Sequence, residues 1–131
     1  AEEGRRRGGE GVGHPGGARN VDILEQREGA VTVVKPMGPL LLAEAEQFKG
    51  KLADVMGRSL GRFVVDASSV AYVDSRGLEV LVEACEALGD GGQVMRLCGA
   101  NETLREVLDL TGLSGHFEHF ADVHTAVRSF L

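Results

Sequence analysis

Apolar and polar positions along the chain fall into short runs of two periods. Val21-Asp22-Ile23-Leu24-Glu25-Gln26 and Ala30-Val31-Thr32-Val33-Val34-Lys35 are rich in β-branched residues and flank Arg27-Glu28-Gly29, which predicts a β-hairpin. Gly38-Pro39 breaks the chain, and Leu41, Ala45, Phe48, Leu52 and Val55 then recur at helical spacing, one stripe of an amphipathic helix ending near Gly57. Phe63-Val64-Val65 is continuously apolar, as in a strand covered on both faces. A second helix is expected after Asp74-Ser75, with Leu78, Leu81, Val82, Cys85 and Leu88 on its inner face and Gly89 as its stop; Gln93–Cys98 reads as the next strand. A third helix is expected from Asn101 as N-cap, with Leu104, Val107 and Leu108 inward and Gly112 closing it. A short strand around Phe117 and a last helix with Val123, Val127 and Phe130 complete the chain.

The order β-β-α-β-α-β-α-β-α implies a single α/β domain with a mixed, mostly parallel sheet and an antiparallel hairpin at one side. Residues 21–131 form that domain. Residues 1–20 have no apolar periodicity and hold seven of the nineteen glycines together with Arg5, Arg6 and Arg7, so they read as a disordered Gly/Arg-rich tail. A formal G-x-G-x-x-G at Gly11–Gly16 has neither the strand before it nor the helix after it that a phosphate-binding turn needs, and Pro15 removes a backbone donor. The chain opens on Ala1, as a processed form would.

Charge separates the two parts further. The tail carries four basic and three acidic residues, whereas the remaining ten basic and seventeen acidic residues leave the body at a formal −7. An acidic body disfavours nucleic acid and anionic membranes as partners. No apolar run approaches the roughly 20 residues of a bilayer crossing, and no signal-peptide core follows the basic residues, so a cytoplasmic location without membrane insertion is expected. Cys85 and Cys98 read as buried thiols of a reducing compartment.

Catalytic and metal-binding patterns are sparse. His116-Phe117-Glu118-His119 and His124 form a histidine cluster, but the P-C-x-x-C partner of a zinc deaminase is missing, and no metal or cofactor is expected. Asn101-Glu102-Thr103 fits a glycosylation acceptor and equally a helix cap; capping is the expectation. Neither G-x-S-x-G nor a Walker lysine loop occurs, and the carboxylates Glu44, Glu46, Glu83 and Glu86 fall on polar helix faces as solvated surface. The chain is therefore not expected to be an enzyme.

Val70-Ala71-Tyr72-Val73-Asp74-Ser75-Arg76-Gly77-Leu78 carries the most information. A strand-to-helix turn puts Asp74 and Ser75 at a helix N-terminus, where free backbone N–H groups and the helix dipole favour negative charge. Two readings fit: Asp74 as N-cap, Ser75 as first helical residue and Gly77 for close packing; or, beyond that, a hydroxyl exposed to a kinase that gains roughly −1.5 to −2 charges on phosphorylation.

Phe63-Val64-Val65-Asp66-Ala67-Ser68-Ser69 running into Val70–Leu78 resembles the signature of the STAS domain, found in bacterial anti-sigma-factor antagonists and at the cytoplasmic ends of sulfate transporters. Gly38-Pro39-Leu40 resembles that family's G-x-L turn, and Leu108-Asp109-Leu110-Thr111-Gly112-Leu113 resembles the close of its third helix, so the resemblance runs from about Val21 to Leu131. It implies a STAS-like domain that binds a protein partner, an anti-sigma factor with serine kinase activity, and is switched by phosphorylation at Ser75. Asp74, Arg76, Gly77, Gly38, Leu40 and Leu41 are the implied partner-binding residues. Two positions depart from the antagonist pattern: Arg76 stands where a second Ser or Thr is common, and Gly38-Pro39-Leu40-Leu41 replaces G-E-L-D. Arg76 implies a different partner choice or a counter-charge to a phosphate, and Leu41 in place of the acidic residue favours an alternative, a STAS interaction or scaffold subunit of a lipid-transport or stress-signalling assembly that is not phosphorylated.

Overall fold

Five apolar runs pair edge to edge into one mixed sheet whose strand order follows the chain. The computed structural model describes residues 22–131, so the tail expected at 1–20 lies outside the described residues. Its elements are β1 (Ile23–Glu28), β2 (Val31–Pro36), α1 (Leu42–Ser59), β3 (Phe63–Asp66), α2 (Ser75–Asp90), β4 (Met95–Cys98), α3 (Glu102–Leu110), a 3₁₀ turn (Ser114–His116), β5 (Phe117–Phe120) and α4 (Val123–Arg128). β1 pairs antiparallel with β2, and β2, β3, β4 and β5 run parallel. Order and fold class agree with the sequence reading.

Each parallel step moves one strand along in the same direction, so the crossover helices fall on one face. There Phe48, Leu52 and Val55 of α1, Val80, Leu81 and Leu88 of α2, and Leu104 and Leu108 of α3 pack on Val34, Phe63, Val65, Met95 and Leu97. Alternate residues of the same strands point to the other face, where Val31, Val64 and Cys98 meet Ala126 of α4. β3, buried at all four positions, is the doubly covered strand its sequence promised. Arg96 fastens α4: its guanidinium lies 3.6 Å from the Phe130 ring centroid, and its Nε donates to Ser129 Oγ at 2.6 Å.

Several boundaries differ from expectation. α1 runs through Gly57 to Ser59 and turns at left-handed Leu60, and α2 runs through Gly89 to Asp90. Both glycines are exposed with open space around them, so each costs the helix only about 1 kcal/mol of propensity, and the packing of the preceding turns outweighs it. β1 starts at Ile23 and β4 at Met95, each later than expected, the latter because the turn after α2 uses Gly91 to Gln93 for its hydrogen bonds to Leu88 and Gly89. Val82 is half-buried, while Val80 and Ala84 are buried, because α2 packs on α1 as well as on the sheet and so hides a wider arc. Leu41 takes the N-cap position just outside α1, without a side-chain capping bond, and Val107 is half-buried on α3.

The outer strand β1 is tied to α1 by charge. Arg58 donates two hydrogen bonds of 2.8 Å to the Glu25 carboxylate, and Lys51 Nζ lies 2.6 Å from Glu25 Oε1. These two cations pull the Glu25 carboxyl down from 4.5 to about 2. A depressed carboxyl contributes stability above its unfolded pKa and loses it as pH falls through the folded one. In urea titrations, wild type should therefore be more stable than Glu25→Gln at pH 7, with the difference closing between pH 4.5 and 2; a pH-independent difference would contradict this role.

Candidate functional site

Parallel strands deliver their following loops to one edge of the sheet, the usual place for a site in such folds. Residues 37–41 after β2 and 67–74 after β3 meet there as an extra rung of pairing. Leu40 N donates to Tyr72 O and Asp74 N donates to Leu40 O, both at 3.2 Å, and Leu40 and Val73 form an isolated parallel bridge. The two segments identified separately in the sequence, the Gly38–Leu41 turn and the Asp74-Ser75 turn, are thus neighbours.

Asp74 is the N-cap of α2. Its backbone is extended, and its Oδ1 accepts the Gly77 amide at 2.9 Å, which satisfies one of the helix's unpaired donors. Ser75, the first helical residue, is exposed. Gly77 is buried, and a Cβ built on it would lie 2.5 Å from the Leu40 carbonyl oxygen and 3.0 Å from Val73 Cβ. Only glycine lets the first turn of α2 approach the β2–α1 loop this closely. Leu40 is only 2% exposed and belongs to the core. Among the partner-binding residues expected from sequence, Gly77 and Leu40 therefore shape the surface from beneath, since neither offers a side chain to a partner. Gly38 and Leu41 are half-buried at its rim.

Exposed apolar groups complete the surface. Met37 and Leu42 flank the β2–α1 loop, and Tyr72 precedes the α2 cap, with exposures of 43%, 66% and 49%. Sequence reasoning missed all three. Met37 and Leu42 lie beside a breaker and off the helical stripe, the one signal that could have found them; for Tyr72, exposure becomes visible only with the loop path.

Arg76 is engaged. Its Nε donates to Glu46 of α1, its Nη1 donates to Glu79 at 3.0 Å and lies 3.7 Å from Glu83, and Glu83 also faces Lys49 of α1 at 3.6 Å. The hydrogen bond from Arg76 holds the Glu46 carboxyl below its ordinary range, and Glu46 and Glu79 hold the guanidinium charged. Glu46 and Glu83, expected as solvated surface, belong to an ion network joining α1 to α2 beside Ser75.

Other candidates from the sequence stay apart. His116 is exposed and His119 is held by its Nε2 against the Ser114 carbonyl at 2.9 Å. Among the described residues, no three His, Cys, Asp or Glu side chains gather to hold a metal ion. Cys85 and Cys98 are buried free thiols, and burial pushes both up to about 12, which disfavours the thiolate. No helix among the described residues is long and apolar enough to cross a membrane.

A family model described as the STAS domain matches residues 23–126. Among solved structures, the fold is similar to a Thermotoga maritima protein provisionally assigned as an anti-sigma factor antagonist (22% identity, covering 82% of this chain and 92% of that one, TM-score 0.75). It is also similar to an anti-sigma factor antagonist from Mycobacterium paratuberculosis (24%, 83% and 92%, TM-score 0.74). A third is the Bacillus cell fate determinant SpoIIAA in its phosphorylated form (17%, 84% and 100%, TM-score 0.65).

Gly77 and Gly57 make opposite predictions for one chemical change. Gly77→Ala should lose about 1–2 kcal/mol, overpacking against Leu40 outweighing better helix propensity. Gly57→Ala, with open space around it, should gain about 0.5–1 kcal/mol. Denaturant midpoints for the two variants measure the pair, and a neutral or stabilising Gly77→Ala would show that the loop yields.

Proposed function

The chain belongs to the STAS domain family, and we propose that within it the chain is an anti-sigma-factor-antagonist-like regulator, which binds a protein partner through the surface around Ser75 and is released by phosphorylation there. The partner is an anti-sigma factor with serine kinase activity, and the setting is bacterial, cytoplasmic control of transcription. The work is to bind and release a partner, with no turnover of a substrate.

One observation carries the reading: an exposed Ser75 directly follows the N-capping Asp74, in a turn paired through its backbone with the β2–α1 loop, and Tyr72 of that turn and Met37 and Leu42 at the flanks of that loop are exposed. Unmodified, such a surface gains by burying apolar area against a partner. A phosphoryl group would bring nearly two charges beside the Asp74 carboxylate, while the adjacent cation Arg76 is already shared among Glu46, Glu79 and Glu83. Docking would then require desolvating an anion that only the helix N-terminus, and no free side-chain cation at that turn, helps to balance, so the modified face is rejected with no change of fold. The structural likeness to SpoIIAA in its phosphorylated form agrees with this use of the fold.

A constitutive interaction or scaffold subunit is the second reading, favoured by Leu41 at the rim and by the prior commitment of Arg76. The two readings separate in one experiment. With a kinase anti-sigma factor that binds the chain, and with ATP, intact-mass spectra should show one added phosphate on wild type and none on Ser75→Ala. Absence of phosphate from a kinase active on another substrate would sink the switch. Ser75→Asp should weaken partner binding at least tenfold, and binding as tight as wild type would favour the scaffold.

A further inference from the structure

Asn101 does more than start a helix. Its Oδ1 accepts the Leu104 amide at 2.7 Å, the capping bond expected from sequence. That bond fixes the orientation of the carboxamide, because only oxygen can accept from an amide N–H, and so it aims Nδ2 in a known direction. Nδ2 donates across the sheet edge to the Ala71 carbonyl at 3.0 Å and approaches the Val70 carbonyl at 3.4 Å. Val70 and Ala71 sit between β3 and the Asp74-Ser75 turn.

The β3–α2 loop is therefore gripped from both sides. Leu40 holds Tyr72 and Asp74 by backbone bonds from the β2–α1 loop. On the other side, the first part of the loop turns back on itself, with Val70 N on Ala67 O at 3.0 Å and Ser68 N on Asp66 Oδ1 at 3.0 Å. The carbonyls of Val70 and Ala71 accept from the Asn101 amide nitrogen. We propose that Asn101 is a positioning residue for Ser75, one side chain that caps α3 with its oxygen and holds the phosphoacceptor loop with its nitrogen, so that the start of α3 and the presentation of Ser75 are ordered together. The consequence for signalling rests on the reading of Ser75 as the switch; the mechanical coupling does not.

Asn101→Asp separates the two bonds. Aspartate caps a helix about as well as asparagine, but it has no N–H for the Val70 and Ala71 carbonyls. Hydrogen exchange of the full chain should show the amides of Val70, Asp74 and Gly77 exchanging about two- to tenfold faster in Asn101→Asp, with Leu104 and Arg105 at wild-type rates. Asn101→Ala should accelerate both sets. A fluorophore on Ser75→Cys reads the same loop directly, because Cys85 and Cys98 are buried and escape labelling; its fast anisotropy decay should grow in the Asn101→Asp background. If Asn101→Asp folds poorly in a thermal melt, Asn101→Ser, which also keeps a capping oxygen and is too short to reach the loop, makes the same comparison. Wild-type exchange at residues 70–77 and unchanged anisotropy overturn the proposal even if Ser75 is phosphorylated. A loosened loop in a chain whose Ser75 takes no phosphate leaves the positioning intact and overturns the switch.

Discussion

The close approach of the first turn of α2 to the backbone of the β2–α1 loop is the contact on which the rest of the site depends. Leu40 gives and receives a backbone hydrogen bond there, and Gly77 has no Cβ to keep the Leu40 carbonyl away. A parallel sheet makes the contact possible because β2 and β3 release their loops at the same edge. Once the loops are laced together, α2 can begin only where it does. Ser75 is then exposed as the first residue of α2. The buried Leu40 side chain adds apolar burial to the same point, so the surface is held by core packing from below and by backbone bonds from beside it.

Charge is arranged around this frame more economically than the net value suggests. α2 carries Glu79, Glu83, Glu86 and Asp90 against the single cation Arg76, yet Arg76 reaches across to Glu46 of α1, and Lys49 of α1 reaches back to Glu83. These are exposed pairs, each worth little in isolation. As a network they fix where Arg76 points, along α2 and towards α1. The residue that follows Ser75 is thus bound within its own domain. An anion placed at Ser75 would have to compete with three carboxylates for that guanidinium.

What was legible in the sequence was what is encoded locally. Asp74, Asn101 and the hairpin around Gly29 announce themselves by side-chain capping or by a turn that nearby residues specify, and the strand-helix alternation yields the parallel order. Gly57 and Gly89 misled as helix stops because burial of the preceding turns outweighs a propensity cost of about 1 kcal/mol. Arg76 could be identified as unusual but not as engaged, since Glu46 lies thirty positions earlier and meets it only when α1 packs on α2. Leu40 and Gly77 belonged to a motif associated with partner binding, and spacing alone cannot separate a residue that touches a partner from one that supports the residue that does.

That distinction bears on how such a surface can change partners. The supporting layer of Leu40, Val73 and Gly77 is buried and sterically exacting, so substitutions there are resisted by packing. The outer layer of Met37, Leu41, Leu42 and Tyr72 is exposed or half-buried, and the fold places fewer demands on it. Replacement of an acidic G-E-L-D turn by Gly38-Pro39-Leu40-Leu41 alters the outer layer while keeping the leucine that the supporting layer needs. If this face docks a partner as proposed, apolar residues there would shift recognition from charge towards shape and burial, and would increase the effect of one added charge. On an acidic face a phosphate adds to repulsion already present, whereas on an apolar face it introduces a desolvation cost that the unmodified surface does not have. Leu41 therefore weighs on both proposed readings: it removes the acidic pattern of the antagonists, yet on an apolar rim a charge gained at Ser75 would change binding more than on an acidic one.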